Sequence, residues 1–176
     1  MKKTLHTLVF CMSILLIACT SMSTETTSNI TQPSVVKMDD EISAKIQLLF
    51  EKYIQNEWDI MDLYAEDVVC KINNLEITGR DNLMEGFKMH HALLYKDIMI
   101  ENNRIQTEYW NNGEIWSRAW FTWTGQGQTT GTNYSNRGHF DYKWQDGQIV
   151  ELLGYWSEDI QNLETSALTE VSGKSE

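Results

Sequence analysis

Positive charge is scarce in this chain. Fourteen lysines and arginines stand against 25 aspartates and glutamates in 176 residues, a formal net charge of −11. Nucleic-acid binding needs clustered basic side chains, so that partner class is excluded. The same balance argues against electrostatic attachment to anionic lipid. Cysteine is almost as sparse, with Cys11, Cys19 and Cys70, and Pro33 is the single proline. The apolar run at residues 8–18 is too short to cross a bilayer as a permanent helix. There is no Gly-rich phosphate loop, serine elbow or Cys-X-X-Cys motif, and no ligand set with metal spacing. No cofactor and no metal are therefore implied.

What is present begins with MKKTLHTLVFCMSILLIAC: a basic start, an apolar stretch and a small residue before a cysteine. This is the layout of a secretory signal, residues 1–18. Leu16-Ile17-Ala18-Cys19 resembles the bacterial lipobox, which implies cleavage before Cys19 and lipidation of that residue. Acyl chains then anchor the chain in one leaflet of the cell envelope. Thr20 after the cysteine, in place of an aspartate, points to the outer membrane by the usual sorting rule. The alternative is an ordinary cleaved signal with an incidental cysteine. Processing takes away Lys2 and Lys3, bringing the formal charge to −13. It also removes Cys11 and acylates Cys19, so Cys70 is the sole remaining thiol and no internal disulfide can form. Cys70 lies in the apolar strand pattern VVCKI and reads as a buried structural cysteine.

Composition divides the rest. Residues 19–37 are rich in serine and threonine and read as a tether. Residues 38–163 are long enough for one domain with one core. Residues 164–176 are polar and expected to be disordered. Within the domain, Ile42, Ile46, Leu49, Phe50 and Tyr53 form one face of a helix over 39–55. A short second helix is predicted over 58–67, strands over 68–72 and 75–79, and a third helix over 81–91. Four long strands follow, over 98–110, 114–125, 131–144 and 148–157. Asn112-Gly113 and Asp146-Gly147 are hairpin signals between them. Helices first and antiparallel strands last predict an α+β class, three N-terminal helices packed on a curved, mainly antiparallel sheet.

One stretch asks a sharper question. WSRAWFTW, residues 116–123, would alternate along a strand, with Trp116, Arg118 and Trp120 on one face. Ser117, Ala119, Phe121 and Trp123 would lie on the other. Both faces carry aromatic rings, so each must cover something.

LYAEDVV at 63–69, Gly79 opening the third helix, and WQDGQIVELLGYWSED at 144–159 together resemble the nuclear-transport-factor-2-like superfamily. The style is that of its SnoaL-like and ketosteroid-isomerase-like branch, over residues 39–160. The resemblance implies a cone-shaped domain with a cavity between helices and concave sheet, and commonly a homodimer. It implies no single activity, because isomerases, cyclases, hydrolases and binders share the fold. In this register the isomerase base position falls on Ile72, with Asn73 beside it, and the acidic donor position falls at Gly138 or Phe140. Only Tyr53 is near a family residue. The carboxylate chemistry of that isomerase is therefore absent.

The same register turns Cys70, Ile72, Phe87, Phe121, Trp123, Phe140, Tyr142, Leu152 and Trp156 inward, with Ser117, Ala119 and Gly154 as small neighbours. Such a wall either surrounds a ligand or fills itself as core. His90, His91 and Tyr53 are the catalytic candidates. Arg137, His139, Asp141 and Lys143 alternate with aromatics and read as a solvated or subunit-facing surface. Three functions stay open. The first is a lipid-anchored domain binding a small apolar or aromatic molecule. The second is an enzyme using a cavity His and Tyr. The third is an interaction module or homodimer paired through Trp116, Arg118 and Trp120.

Overall fold

Asp40 starts the domain's first helix. Its carboxylate accepts the Ser43 amide at 2.8 Å and also the Tyr109 hydroxyl, satisfying an amide that the first helical turn leaves unpaired. From it runs α1 (Glu41–Ile54), which buries Ile46, Leu49 and Phe50 along one face. Each of these side chains contributes about 2 kcal/mol by leaving water. The computed structural model describes residues 32–173. The expected signal, Cys19 and the tether as far as residue 31 lie outside the described residues.

The remaining elements are β1 (Pro33–Lys37), β2 (Tyr64–Ile72), β3 (Leu75–Thr78), α2 (Arg80–Met89), β4 (Tyr95–Trp110), β5 (Ile115–Gly127), β6 (Asn133–Gln145), β7 (Gln148–Tyr155) and α3 (Asp159–Ser172). Seven strands make one sheet in the order β1-β4-β5-β6-β7-β2-β3. The β2–β7 pair is parallel and the others are antiparallel. The class is α+β with a mixed, curved sheet. Curvature has a local source: the β4–β5 register breaks between Lys96 and Met99 and again between Glu101 and Arg104. Asp97 (φ 52°) and Asn102 (φ 51°) occupy those breaks in left-handed conformation, as bulged residues do when they bend a strand. At the β6–β7 hairpin Asp146 and Gly147 both have positive φ, the requirement of a type I′ turn.

A buried polar chain joins the helix to three strands. The Trp144 indole donates to Ser117 Oγ at 2.9 Å, Ser117 meets Thr107 at 3.3 Å, and Thr107 meets Ser43 of α1 at 2.9 Å. Every member is paired, so burial costs little and the register of α1 on the sheet is fixed.

Several expectations are corrected here. Residues 58–67 are not a helix; they hold one 3₁₀ turn, Met61–Leu63, and then β2. The pattern there is apolar at Ile60, Met61, Leu63 and Tyr64, and strand pairing with β7 overrides its helical spacing. Among the described residues the domain has three α-helices, and the third, α3, follows the long strands. Within the tether region, Pro33–Lys37 pairs with β4 as an edge strand. The segment expected to be disordered after residue 163 belongs to α3 as far as Ser172. Among the described residues no helix is long and apolar enough to cross a membrane.

The anchor of α3 is a carboxylate. Glu164 is fully buried and accepts the amides of Thr129 (2.6 Å) and Thr130 (3.1 Å) and the hydroxyls of Thr130 (2.8 Å) and Tyr134 (3.2 Å). Gly127 permits this approach, since a Cβ there would stand 2.2 Å from Glu164 Oε2. Burial pushes this carboxyl up, and the amide and hydroxyl donors outweigh it, holding it below the usual glutamate range. Its contribution is therefore complete above that range and is lost as pH falls through its lowered value. Glu164→Ala is expected to cost about 3 kcal/mol in denaturant unfolding and to strip exchange protection from α3, because four donors lose their acceptor. Unchanged protection in α3 would contradict the anchoring role.

Candidate ligand cavity

Gly138 and Gly154 shape the concave face. A Cβ on Gly138 would stand 2.5 Å from Phe121 Cζ, and one on Gly154 would stand 2.9 Å from Phe140 Cε1 and 3.0 Å from Ile72 Cγ1. The two phenylalanine rings therefore lie down against bare backbone. They brace each other edge-on at 5.1 Å, and Phe50 from α1 meets Phe121 at 5.0 Å. The space above them stays open as a cavity of about 350 Å³ between the helices and the sheet.

Ile72, Phe87, Phe121, Trp123, Phe140, Tyr142 and Trp156 line this space. Cys70, Ser117, Ala119 and Leu152 do not. All four are fully buried behind the wall, where Ser117 belongs to the polar chain already described. Burial pushes the Cys70 thiol up to about 12, leaving it inert at neutral pH. Sequence reasoning missed Trp58, Met61, Leu83, Met84 and Gly86, which also line the cavity. Asn73, which the family register places beside Ile72, is a left-handed residue that donates to the Trp156 carbonyl at 2.8 Å and to Glu158 at 3.0 Å. The alternation Leu75, Ile77 in β3 was the available signal for the far wall.

Tyr53 and His90 meet, and His91 packs beside them. Helix α2 ends at Met89 and continues as one π-helical turn, His90–Leu94, a widened turn often found at functional sites. It buries His90 with Nδ1 3.1 Å from the Tyr53 hydroxyl. That hydroxyl accepts the Trp123 indole N–H at 3.2 Å. The His91 ring packs edge-on against Tyr53 at 5.0 Å, its Nε2 buried without a hydrogen-bond partner among the described residues. Burial, with a smaller push from His91, holds His90 down at about 4. Burial also lowers His91, offset in part by the Tyr53 carbonyl. It raises the Tyr53 phenol well above the ordinary tyrosine range. At neutral pH the cavity wall carries a neutral imidazole and a neutral phenol.

At the mouth, Lys52 is held by Glu57 (2.5 Å) and Asp59 (3.1 Å), and Glu158 by Asn73. Among the described residues no three of His, Cys, Asp and Glu gather as a metal set. The outer face keeps its own network. Arg118 reaches Glu108 (2.8 Å) and Asp141 (3.0 Å), and His139 reaches Asp141 (2.7 Å). Arg104 covers the Trp120 ring and Lys143 the Trp116 ring.

The sequence profile of the SnoaL-like domain matches residues 55–152. The chain belongs to the SnoaL-like domain family. Solved structures agree on the fold. A candidate polyketide cyclase of Xanthomonas campestris pv. campestris superposes with TM-score 0.57 at 18% identity, over 71% of this chain and 95% of its own. A candidate isomerase of Bacillus subtilis gives 0.56 at 14%, over 70% and 91%. A nuclear-transport-factor-2-like protein of Anabaena variabilis gives 0.54 at 17%, over 67% and 87%. No curated protein matches the chain in sequence. Likeness at this identity fixes the SnoaL-like fold and carries no activity.

The buried His90 has a measurable consequence. Between about 4 and the ordinary 6.5 the unfolded chain takes a proton that the folded chain refuses. Stability therefore rises with pH across that window, by on the order of 3 kcal/mol, and is flat in this group above it. NMR titration is expected to place the His90 midpoint near 4. A midpoint at the free-histidine value would refute the burial assigned to it.

Proposed function

We propose that this SnoaL-like domain binds a small, largely apolar, ring-containing molecule in its cavity and does so without chemistry on it. The observation that carries the reading is the open space above Phe121 and Phe140, held open because Gly138 and Gly154 let those rings lie flat. Its volume of about 350 Å³ falls in the range of small-molecule sites, and its wall is mostly carbon with a few polar atoms. Acid–base chemistry is disfavoured by the groups available. Ile72 occupies the position where the isomerase branch has its base, a neutral His90 held near 4 is a feeble base, and the Tyr53 phenol keeps its proton. The mouth carboxylates Glu57 and Glu158 are already engaged.

Two outer features complete the proposal. The lipobox-like Cys19 would tether the domain in the bacterial envelope, and a second copy would cover Trp120, 37% exposed, together with the half-buried Trp116. Intact mass of detergent-extracted protein with an unmodified Cys19 would remove the anchor, and a monomer in sedimentation would remove the dimer.

Binding itself is tested with naphthalene, read by the emission of Trp58, Trp123 and Trp156. Saturable quenching is expected in the wild-type protein. Gly86 lines the cavity, and a Cβ added there meets no heavy atom within 4 Å, so Gly86→Leu is expected to fold, gain helix propensity and weaken naphthalene at least tenfold. Absence of saturable binding to the wild-type protein would overturn the reading.

A further inference from the structure

Tyr53 decides which nitrogen of His90 carries the proton. The Trp123 indole nitrogen is a donor only, so the Tyr53 oxygen must accept from it. The phenol's own proton then needs an acceptor, and among the described residues the one within reach is His90 Nδ1 at 3.1 Å. A neutral imidazole that accepts at Nδ1 carries its proton on Nε2. Nε2 has no hydrogen-bond partner among the described residues, although the side chain lines the cavity and the residue is 9% exposed. An N–H that faces a carbon-lined cavity has few acceptors there, and a ligand that supplies one pairs it.

Charge narrows the class. The cation at the cavity mouth, Lys52, is taken by Glu57 and Asp59. An anionic ligand would enter a carbon-lined space with no free positive charge, which desolvation forbids at useful affinity. Building on the binding reading above, we infer that the cavity selects ring compounds bearing an uncharged hydrogen-bond acceptor, such as a ketone oxygen, and that His90 Nε2–H is the group that holds it. Trp123 and Tyr53 are positioning residues, acting through the tautomer they impose.

The test compares three probes of one shape: 2-acetylnaphthalene, its alkene isostere 2-isopropenylnaphthalene, and 2-naphthoate. Wild-type protein is expected to prefer the ketone to the alkene roughly five- to tenfold and to bind the carboxylate no better than the alkene. In His90→Phe the ketone-to-alkene ratio is expected to fall to about one. Imidazole ¹⁵N spectra of the wild-type protein need no variant. They are expected to show Nε2–H at neutral pH, with a mixture of tautomers in Tyr53→Phe. A predominant Nδ1–H form, or equal affinity for ketone and alkene, would overturn the inference while leaving the binding reading intact. A preference that survives in His90→Phe would move the acceptor to the Tyr64 or Tyr142 hydroxyl and overturn the role of His90. Failure of all three probes to bind would overturn the binding reading and this inference together.

Discussion

The Tyr53 phenol oxygen is the junction on which the cavity depends. It takes the indole N–H of β5 and sits within hydrogen-bonding distance of the imidazole at the end of α2. One atom thus ties α1, the sheet and the π-helical turn into a single wall. Because that wall is buried, each of these hydrogen bonds matters more for the donor or acceptor it would strand than for its own net strength. The arrangement also keeps both titratable groups neutral, which suits a site that holds a molecule better than one that moves protons.

Two polar threads divide the labour of the domain. The chain Trp144–Ser117–Thr107–Ser43 runs through the packed end of the cone and sets α1 on the sheet. The chain Trp123–Tyr53–His90 runs beside the open end. Between them lies the aromatic floor, flat because two glycines leave no Cβ to lift it, beneath a sheet bent by the bulges at Asp97 and Asn102. The Glu164 anchor holds α3 to the turn after β5, and the start of that helix contributes Glu158, Gln161 and Asn162 to the cavity rim. Shape here is a product of small residues and bends, with the large rings filling in around them.

Much of this was legible in the sequence, for a physical reason. The period-2 alternation of WSRAWFTW divides as expected, with Ser117, Ala119, Phe121 and Trp123 buried and Trp116, Arg118 and Trp120 on the other face. The hairpin dipeptides and the spacing of α1 were equally local signals. Nonlocal facts were not legible. Ser117 and Ala119 look like room for a ligand, yet their space is taken by Thr107, Trp144 and neighbouring core, and the room lies above Gly138 and Gly154 instead. Residues 58–67 follow a helical pattern that pairing with a strand eighty residues away overrides. A polar tail conceals Glu164 because composition averages over a carboxylate that is buried. Tyr53 could be matched with a cavity histidine, but nothing local chose His90 over His91.

The central claim is that the cone holds a small molecule. Native mass spectrometry of the full-length protein, purified from its own cells without a hydrophobic wash, tests it most directly. The prediction is a native mass above that of the denatured protein, any acyl chains on Cys19 being counted in both, by one small uncharged compound that is missing when Gly86→Leu is purified in the same way. Equal native and denatured masses, unchanged after incubation with an aromatic ketone, would contradict it.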